Sequence, residues 1–460
     1  MNGSGEFEAQ RTGGISNTSL PAFVRQWAGL LGGGNRNLDS SREKFFRSLV
    51  FSHLSGMKRG SLRLVENGES FYFGCKKPTE AAGRAKSSEA ESSENSVGSD
   101  ISAQINIDDP VVYKMITLNG IVGGGEAYLD KLWTSPDLLA LIRFFVSNIA
   151  ELNKMDKERN WANRAALAML SRLTRNSVGG ARKNISAHYD LGNDFFELFL
   201  DSTMMYSSAL FEDSKMTLEQ ASVAKLDALC QKLELKPDDH LIEIGTGWGG
   251  MALHAAKNYH CKVTTTTLSR RQMEYTKQKV QEAGLSDRIT VLMNDYRQLE
   301  GTYDKLVSIE MIEAVGHQYF ASYFAKCASL LKPNGLMALQ AITIPDQRYE
   351  QAKNSVDFIQ RYIFPGGCLP SLNVISENTA KHTDMNILSI TDITKDYALT
   401  LAHWRKSFIE NLDRVRALGF DEQFIRMWTY YLCYCEGGFT ERVIGVHQVL
   451  SAKPDYRATC

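Results

Sequence analysis

The stretch LIEIGTGWGGMALHAA, residues 241–256, decides the fold. An apolar run typical of a buried strand ends in a turn with four glycines, and a helix-like segment follows at once. Glycines at such a turn let the backbone approach a ligand and let the helix start close to the sheet. The GxGxG spacing differs from the GxGxxG of dinucleotide folds, and no GK[ST] follows to indicate a phosphate loop. The stretch is also compatible with a tight turn that holds no ligand, so the flanking sequence must decide.

Strand-like and helix-like segments alternate on both sides of this turn. The strand-like segments are LIEIG, KVTTTTL, ITVLMND, YDKLVSIEMI and LMALQAITI. Alternation of this kind predicts an α/β fold, a doubly wound and mostly parallel Rossmann-like sheet with helices on both faces. Ligands of such sheets bind at the carboxyl ends of the strands, where the glycine turn falls.

Polar residues at the ends of the next strands indicate which ligand binds there. Asp295 ends the third strand, where a carboxylate can reach an adenine amino group. The second strand ends near Thr267 and Gln272, without the acidic residue that many nucleotide sites use for a ribose. This pattern favours S-adenosylmethionine over NAD and therefore predicts a class I methyltransferase.

Length and composition exclude several classes of protein. A chain of 460 residues has room for two or three domains, and 43% hydrophobic with 23% charged residues is typical of a soluble globular protein. The net charge of -1 predicts no bulk attraction to nucleic acid. No apolar run approaches the roughly 18 residues of a membrane span, and the first ten residues do not read as a secretory signal. Eight scattered cysteines without metal-ligand spacing predict a reducing cytoplasm and no metal site.

Composition also divides the chain into zones. Residues 1–40 are rich in Gly, Ser and Asn and are expected to be flexible. Residues 41–150 predict a smaller N-terminal α+β domain, within which residues 76–100 have almost no large apolar side chains and predict a disordered insertion. A polar, helix-prone connector at 151–184 leads to a catalytic domain at 185–460.

Five motifs in this order carry a resemblance to a known family. They are NISAHYDLGNDFFELFLDSTMMYSSALFED (184–213), LIEIGTGWGG, VSIEMIEAVGHQYF, YIFPGGCLPS (362–371) and YYLCYCEGGF (430–439). Together they resemble the cyclopropane-fatty-acyl-phospholipid synthases and mycolic-acid cyclopropane synthases. The resemblance covers about 185–455 and extends more loosely to the N-terminal domain, where GIVGGGEAYLDKLW is similar to the family's auxiliary domain.

The resemblance implies a lipid-modifying activity. The family moves a methyl group from S-adenosylmethionine to one carbon of a cis double bond in a lipid acyl chain. The resulting carbocation loses a proton from the new methyl and closes a three-membered ring, with a bound bicarbonate ion as the base. An alkene is a poor nucleophile, so such a site must exclude water and orient the methyl donor. The expected cofactors are therefore S-adenosylmethionine and bicarbonate, and the expected partners are unsaturated phospholipid acyl chains.

The resemblance also implies roles for single residues. Glu313 matches a glutamate that helps to hold the bicarbonate, Tyr397 a tyrosine that contacts it, and Ile342 a backbone contact. Cys435 matches a cysteine in the C-terminal motif, which we expect to pack and not to react, since no base is evident beside it. The expected cofactor-binding residues are Tyr206, Ser207, Glu243, Gly245, Thr246, Gly247, Gly249, Thr267, Leu268, Gln272, Asp295 and Tyr296.

Three positions depart from the best-known members of the family. Ser208 replaces a cysteine, Gln340 replaces a histidine on the strand before the ion, and Ala314 follows Glu313 where a histidine is usual. A glutamine can donate a hydrogen bond but cannot carry charge or relay a proton. Methyl transfer therefore stays the expectation, and ring closure is left open.

Structural interpretations compete with these catalytic ones. Glu313 also suits a helix cap or an ion pair, and Tyr397 also suits a core position. The aromatic residues with the same ambiguity, which could line an acyl channel or simply fill a core, are Phe195, Phe199, Phe364, Tyr430, Tyr431 and Tyr434.

Other functions stay open as well. One is a methyltransferase on the same fold that makes methyl- or methylene-branched fatty acids or that N-methylates a small amine. Another is a non-catalytic binder, against which the intact Gly245, Gly247, Glu313 and Tyr397 argue. A lipid substrate predicts peripheral contact with the inner face of the membrane, for which SPDLLALIRFFVSN is a candidate segment, and a homodimer is possible.

Overall fold

The computed structural model describes residues 40–75, 101–157, 191–213 and 215–458. The predicted flexible segment, apart from its last residue, the predicted insertion 76–100 and most of the predicted connector lie outside these residues.

The N-terminal part forms a small α+β unit. Its elements are α1 (Ser40–Ser55), β1 (Ser61–Glu66), β2 (Glu69–Gly74), β3 (Ser102–Ile107), α2 (Val111–Leu129), β4 (Trp133–Thr134), α3 (Leu138–Ser147) and α4 (Ile149–Lys157). The strands form a four-stranded sheet in the order β2-β1-β3-β4, in which only the β1–β3 pair is parallel. Asn67 and Gly68 join β1 to β2 with φ angles of 50° and 81°, because a tight hairpin turn requires a left-handed backbone.

The remaining chain alternates strands and helices. Up to residue 300 its elements are α5 (Asn193–Phe196), α6 (Leu218–Lys232), β5 (His240–Ile244), α7 (Gly250–Asn258), β6 (Lys262–Thr266), α8 (Arg270–Glu282), β7 (Ile289–Leu292) and a 3₁₀ turn (Tyr296–Gln298). Beyond it are β8 (Tyr303–Ile309), 3₁₀ turns at Ile312–Ala314 and His317–Tyr319, α9 (Phe320–Ser329), β9 (Leu331–Thr343), α10 (Asp346–Ala352), α11 (Phe358–Tyr362), α12 (Leu372–His382), β10 (Asn386–Asp392), α13 (Thr394–Glu410), α14 (Leu412–Ala417), α15 (Glu422–Thr440) and β11 (Gly445–Ala452).

The larger sheet has the predicted doubly wound topology. Its order is β10-β11-β9-β8-β5-β6-β7, parallel from β7 to β9 and antiparallel at β11 and β10. The chain moves outward from β5 through β6 to β7 and then returns to β8 on the other side of β5. This reversal places a crevice at the carboxyl ends of β5 and β8, where ligands of such sheets bind.

Local signals explain where the helices near this crevice begin. Thr217 and Gln220 form a reciprocal capping box at the start of α6. The Ser269 side chain accepts a hydrogen bond from the Gln272 backbone and caps α8. Gly284, with φ of 67°, follows the end of α8, where glycine readily takes the left-handed backbone that ends a helix.

The two units share one hydrophobic core. Helix α15 packs on both α13 and the N-terminal α3. At the border, Arg143 pairs with Glu441 at 2.7 Å, and the Arg426 guanidinium lies 3.8 Å from the centre of the Tyr128 ring. The N-terminal unit is therefore fixed against the helices that cover the crevice.

The segment predicted as a membrane-docking candidate is a core helix. Leu141, Ile142, Phe144 and Val146 of α3 are buried. Among the helices of the described residues, none has both the length and the apolar character needed to cross a bilayer.

Candidate active site

A cavity of about 1250 Å³ opens at the carboxyl ends of β5, β6, β8 and β9 and continues into the N-terminal unit. Most of the residues predicted from the sequence line it. They are Tyr206, Ser207, Glu243, Gly245, Thr246, Gly247, Thr267, Leu268, Gln272, Tyr296, Glu313, Ile342, Tyr397 and Cys435. The topological crevice and the predicted site are thus the same place.

The glycine turn presents bare backbone to this cavity. Gly247 has φ of 53°, and a Cβ built on it would meet no atom within 4 Å, because the position faces open space. Gly249 has φ of 91°, and a Cβ there would lie 2.6 Å from Thr276 of α8. Gly247 therefore leaves room for a ligand, whereas Gly249 permits the close packing of α7 and α8.

Buried polar atoms beside the turn are left for a ligand to satisfy. Glu243, at the end of β5, is buried, and its Oε2 has no hydrogen-bond partner among the described residues. Burial raises the pKa of Glu243 to about 8, against a hydrogen bond from Thr265 and the attraction of Lys225. Gln272 uses its Oε1 to accept from the Thr267 hydroxyl at 2.8 Å, and its Nε2 is likewise without a partner there. A hydroxyl- and amine-bearing cofactor such as S-adenosylmethionine fits this set of groups.

Asp295, which was predicted to contact adenine, is engaged by a neighbouring arginine. Its carboxylate pairs with the Arg297 guanidinium at 2.7 Å and caps the 3₁₀ turn that follows β7. Asp295 is not among the residues that line the cavity. Its neighbours Asn294 and Tyr296 line the cavity instead.

Two carboxylates lie where the sequence predicted a bound anion. Glu310 follows β8 directly, and its Oε1 accepts hydrogen bonds from the Ser208 backbone at 2.9 Å and from the Gln340 amide at 2.8 Å. Glu313 accepts a hydrogen bond from the Ile342 backbone at 2.5 Å. Both glutamates line the cavity, whereas Ser208 and Gln340 lie behind Glu310 and do not.

A buried network fixes the direction of the Gln340 amide. The Gln448 Nε2 on β11 donates to the Gln340 Oε1 at 3.0 Å. The Gln340 nitrogen is consequently left to point at Glu310. Gln340 is fully buried and Gln448 nearly so, and a satisfied buried network of this kind holds a single geometry.

Burial dominates the electrostatics of this cluster. It raises the pKa of Glu313 to about 8, and the charge of Glu310 adds to this shift. Burial also raises the pKa of Glu310, against hydrogen bonds from Gln340 and Ser208. It raises the pKa of Tyr397 well above its usual value, and Glu310 contributes through its charge and a hydrogen bond.

A buried lysine supplies the opposite charge. Lys225 of α6 is fully buried and donates to the Ser207 hydroxyl at 2.8 Å. Burial lowers the pKa of Lys225 to about 8, whereas the charges of Glu310, Asp201 and Glu243 act to raise it. Lys225 therefore links the cofactor side of the cavity electrostatically to the carboxylate side.

The C-terminal motif forms a wall of the cavity. Burial raises the pKa of Cys435, with the charges of Asp357 and Cys433 adding to the shift, so its thiol is not activated. The Tyr397 ring stacks on Phe439 with centroids 4.4 Å apart. The predicted packing role of Cys435 agrees with this environment.

The ambiguous aromatic residues separate into two groups. Phe195 and Phe199 belong to the hydrophobic core and do not line the cavity. The aromatic residues that do line it are Phe364, Tyr430, Tyr431 and Tyr434. The Tyr431 hydroxyl is 2.7 Å from that of Tyr206.

The far part of the cavity is apolar and belongs to the N-terminal unit. It reaches α2 where this helix breaks at Gly120, which has φ of 56°. Its apolar walls include Ile116, Ile121, Val122, Leu141, Ile142, Phe145, Val146 and Ile149. We call these residues the apolar arm.

Sequence reasoning missed Glu310, Lys225 and Gln448. A signal existed for Glu310, since VSIEMIE ends an apolar strand with two acidic residues three positions apart. Lys225 lies in an ordinary amphipathic pattern and Gln448 in a C-terminal strand, and neither carries a local signal.

Comparison with known proteins agrees with this geometry. The profile of the family described as mycolic acid cyclopropane synthetase matches residues 177–449. The chain is 37% identical over 342 residues to tuberculostearic acid methyltransferase UfaA1 of Mycobacterium tuberculosis, an alignment that covers 73% of this chain and 79% of the relative. It is 35% identical over 351 residues to the cyclopropane-fatty-acyl-phospholipid synthase of Escherichia coli K12, with 76% and 88% covered.

Solved structures lead to the same family. Mycolic acid cyclopropane synthase CmaA1, solved with SAH and CTAB, is 32% identical and superposes with a TM-score of 0.56, covering 59% of this chain and 98% of that one. Coclaurine N-methyltransferase, at 21% identity and a TM-score of 0.55, shares the fold. The chain is therefore an enzyme that belongs to the mycolic acid cyclopropane synthetase family of S-adenosylmethionine-dependent methyltransferases.

Proposed function

We propose that this enzyme transfers the methyl group of S-adenosylmethionine to a carbon of a cis double bond in a lipid acyl chain. The observation that carries the proposal is one continuous cavity, which joins the glycine turn to the apolar arm. A methyl donor held at the turn and an acyl chain held in the arm would meet beside Glu310 and Tyr397. Both residues line that cavity.

The chain's own residues would hold and orient the cofactor. S-adenosylmethionine, when bound, supplies an electrophilic methyl group. The unpartnered oxygen of Glu243 and the unpartnered nitrogen of Gln272 would bind its polar groups, and Gly247 would leave it space. Preorganised contacts of this kind lower the barrier mainly by orientation.

The cavity walls would protect the positive charge that forms on the acyl chain. Tyr431, Tyr434 and Phe364 line the cavity and exclude water that would otherwise trap a carbocation. Aromatic faces and a buried carboxylate also stabilise developing positive charge. These groups act in the transition state more than in the ground state.

Bicarbonate does not fit the donor set as the structure has it. The backbone amides of Ser208 and Ile342, the Gln340 amide and the Tyr397 hydroxyl are the groups that the resemblance would direct at the ion. Two of them donate to Glu310, and the Ile342 amide donates to Glu313. No step of the proposed reaction is therefore assigned to bicarbonate.

The product is the finer part of the proposal. We keep the cyclopropane fatty acid as the first candidate, on the strength of the family and of the E. coli relative's name. A methyl- or methylene-branched chain is the second, because the bicarbonate donors are occupied and a relative of similar identity is named a tuberculostearic acid methyltransferase. The apolar arm favours both lipid products over an N-methylated amine.

A lipid assay tests the proposal. Purified protein is incubated with S-adenosylmethionine carrying a ¹³C methyl group and vesicles of cis-unsaturated phospholipid, and the released fatty acids are read by mass spectrometry and NMR. We expect label in the acyl chain, and the NMR spectrum then distinguishes ring from branch. Label in added amines and none in lipid would refute it.

The substrate also implies where the enzyme works. Because phospholipid acyl chains lie in a bilayer, we propose that the enzyme docks transiently on the cytoplasmic membrane face. Co-sedimentation with liposomes tests this docking, and no binding at any lipid composition would refute it. Analytical ultracentrifugation tests the expected homodimer.

A further inference from the structure

We propose that the carboxylate of Glu310 is a built-in proton acceptor, which takes the proton that the methylated acyl chain must lose. The chain would then carry its own base in the position where the family resemblance expects a bound ion. This inference rests on the proposed function.

The backbone at Glu310 is shaped to deliver this side chain. Glu310 is the first residue after β8, and its amide donates to the Gln340 carbonyl on β9 at 2.8 Å. Its φ of 48° lies in the left-handed region, which a residue with a Cβ adopts at a cost. Strain of this kind concentrates at functional sites, and here it turns a carboxylate to the cavity.

The donors around Glu310 prepare an ionised carboxylate. The backbone amide of Ser208 and the side-chain amide of Gln340 both donate to its Oε1. The hydrogen bond from Gln448 to Gln340 Oε1 prevents the Gln340 amide from flipping. A carboxylate has about four lone-pair sites, so these donors fix its position and still leave capacity for a proton.

The neighbouring Glu313 explains why Glu310 would hold the negative charge. The charge of Glu310 disfavours ionisation of the buried Glu313, so the pair is expected to retain one proton. Hydrogen bonds to the charged form decide where it resides. Glu310 has side-chain and backbone donors and the nearby Lys225, whereas Glu313 accepts from the Ile342 amide and its Oε2 has no hydrogen-bond partner among the described residues. The proton is thereby favoured on Glu313, and Glu310 is left as the acceptor.

The proposed steps balance. The carbon–sulfur bond of S-adenosylmethionine breaks, its electron pair stays on sulfur, and the alkene π pair forms the new carbon–carbon bond. The neighbouring carbon becomes cationic, and Glu310 takes a proton from the new methyl group. For a ring, the freed C–H pair bonds to the cationic carbon. For an exocyclic double bond, a hydride first moves from the methylated carbon to the cationic carbon, and the C–H pair of the new methyl then forms the π bond. Glu310 afterwards releases its proton to solvent.

The first measurement is the dependence of the wild-type rate on bicarbonate. Full-length enzyme, cis-unsaturated phospholipid vesicles and S-adenosylmethionine are assayed in buffer freed of carbon dioxide and again with added bicarbonate. We expect rates that agree within about twofold, since a base that contributes about 100-fold or more is already in place. A wild-type rate that collapses without bicarbonate would overturn the inference.

The second measurement uses a variant that lacks the proposed base. Glu310→Gly removes the carboxylate and also suits the left-handed backbone, so folding is spared. We expect the rate to fall about 100-fold or more and to recover on addition of bicarbonate or acetate, which can occupy the vacated donors. Glu310→Gln should show the same fall in rate, but added bicarbonate or acetate should not restore it, because the glutamine side chain still fills the space.

The chain offers a matched control for this variant. Glu234 is also a glutamate with a left-handed backbone, at φ of 49°, and it does not line the cavity. Glu234→Gly should keep the wild-type rate. Calorimetric binding of S-adenosylhomocysteine should be the same in all variants, because Glu310 acts on the acyl chain and not on the cofactor.

The outcomes separate the inference from the proposed function. If the wild type labels lipid and Glu310→Gly is as active as Glu234→Gly, the inference fails and the proposed function stands. If the wild type binds S-adenosylhomocysteine but labels no lipid, both fail.

Discussion

Two parts of the central cavity are built from different parts of the chain. At the cofactor end, the glycine turn presents backbone, and its neighbours Glu243 and Gln272 lie within about one strand–helix–strand unit of it. Between this turn and the apolar arm, the carboxylate cluster of Glu310 and Glu313 is held by donors that come from distant segments. The comparison teaches that binding of a common cofactor can be a local property, whereas the chemistry performed on the substrate depends on the assembled fold.

The largest expected effect is at the cofactor end. Gly247→Val places a branched side chain in a left-handed turn and in the space left for the cofactor. We expect affinity for S-adenosylhomocysteine, measured by calorimetry, to fall about 100-fold or more. Gly419→Val is the matched control, because Gly419 also has a positive φ of 93° and no atom within 4 Å, but it lies outside the cavity. Equal loss in both variants would mean that strain, and not cofactor contact, explains the effect.

The next largest effect is expected at the carboxylate cluster. Gln340→Leu removes one donor from Glu310 and leaves Gln448 without its buried acceptor. We expect kcat for lipid methylation to fall about tenfold to 100-fold, with little change in cofactor affinity. A loss of cofactor affinity as large as the loss of kcat would show that cofactor binding and the carboxylate cluster are not separable.

A smaller effect is expected in the apolar arm. Ile121→Trp narrows the arm, so we expect KM for vesicles of long-chain phospholipid to rise about tenfold while shorter chains are less affected. Leu118→Trp is the control, since Leu118 is on the same helix but is exposed and does not line the cavity. Equal KM values for Ile121→Trp and Leu118→Trp would place the acyl chain elsewhere.

The smallest effect concerns stability and pH. Burial raises the pKa of Glu313 from 4.5 to about 8, so the folded state holds this proton more tightly than the unfolded state. Protonated Glu313 therefore contributes its full stability to the fold at pH values below the pKa that this group has in the unfolded state. The contribution is lost as the pH rises from there through about 8. Because a glutamine side chain does not ionise, Glu313→Gln abolishes this loss of stability. The loss amounts to about 1.4 kcal/mol per pH unit at most.

Thermal unfolding measures this difference. The gain in melting temperature of Glu313→Gln over the wild type should be larger at pH 8 than at about pH 5. A gain that is independent of pH would mean that Glu313 has an ordinary pKa. Glu410→Gln, at an exposed position on α13, should show no pH-dependent gain.

The same contrast explains what the sequence could predict. The periodicity of apolar residues, the spacing of glycines and the residues at strand ends are local features of the sequence. The parallel sheet and the position of the glycine turn could therefore be predicted from residues 241–344. The ion pair of Asp295 with Arg297, two positions later, was not predicted, and the adenine contact of Asp295 stays a prediction. Glu310 was missed because its meaning depends on Ser208, Gln340 and Gln448, which only the folded chain brings together.

The N-terminal unit shows the same limit. Its α+β character was readable from the sequence, but its contribution to the cavity was not. The break at Gly120 and the packing of α3 on α15 bring apolar residues of this unit to the site. Such a contribution depends on contacts between distant segments, and local patterns do not encode it.

One measurement tests the central claim most directly. The enzyme is given S-adenosylmethionine with a fully deuterated methyl group and cis-unsaturated phospholipid vesicles, and the deuterium content of the acyl chains is determined by mass spectrometry. Our account predicts an acyl chain that gains the methyl carbon and retains two of its three deuterium atoms, because one is removed as the proton by the enzyme's base. A chain that retains all three would contradict removal of the proton from the new methyl group, and lipid without any deuterium would contradict the methyl transfer itself.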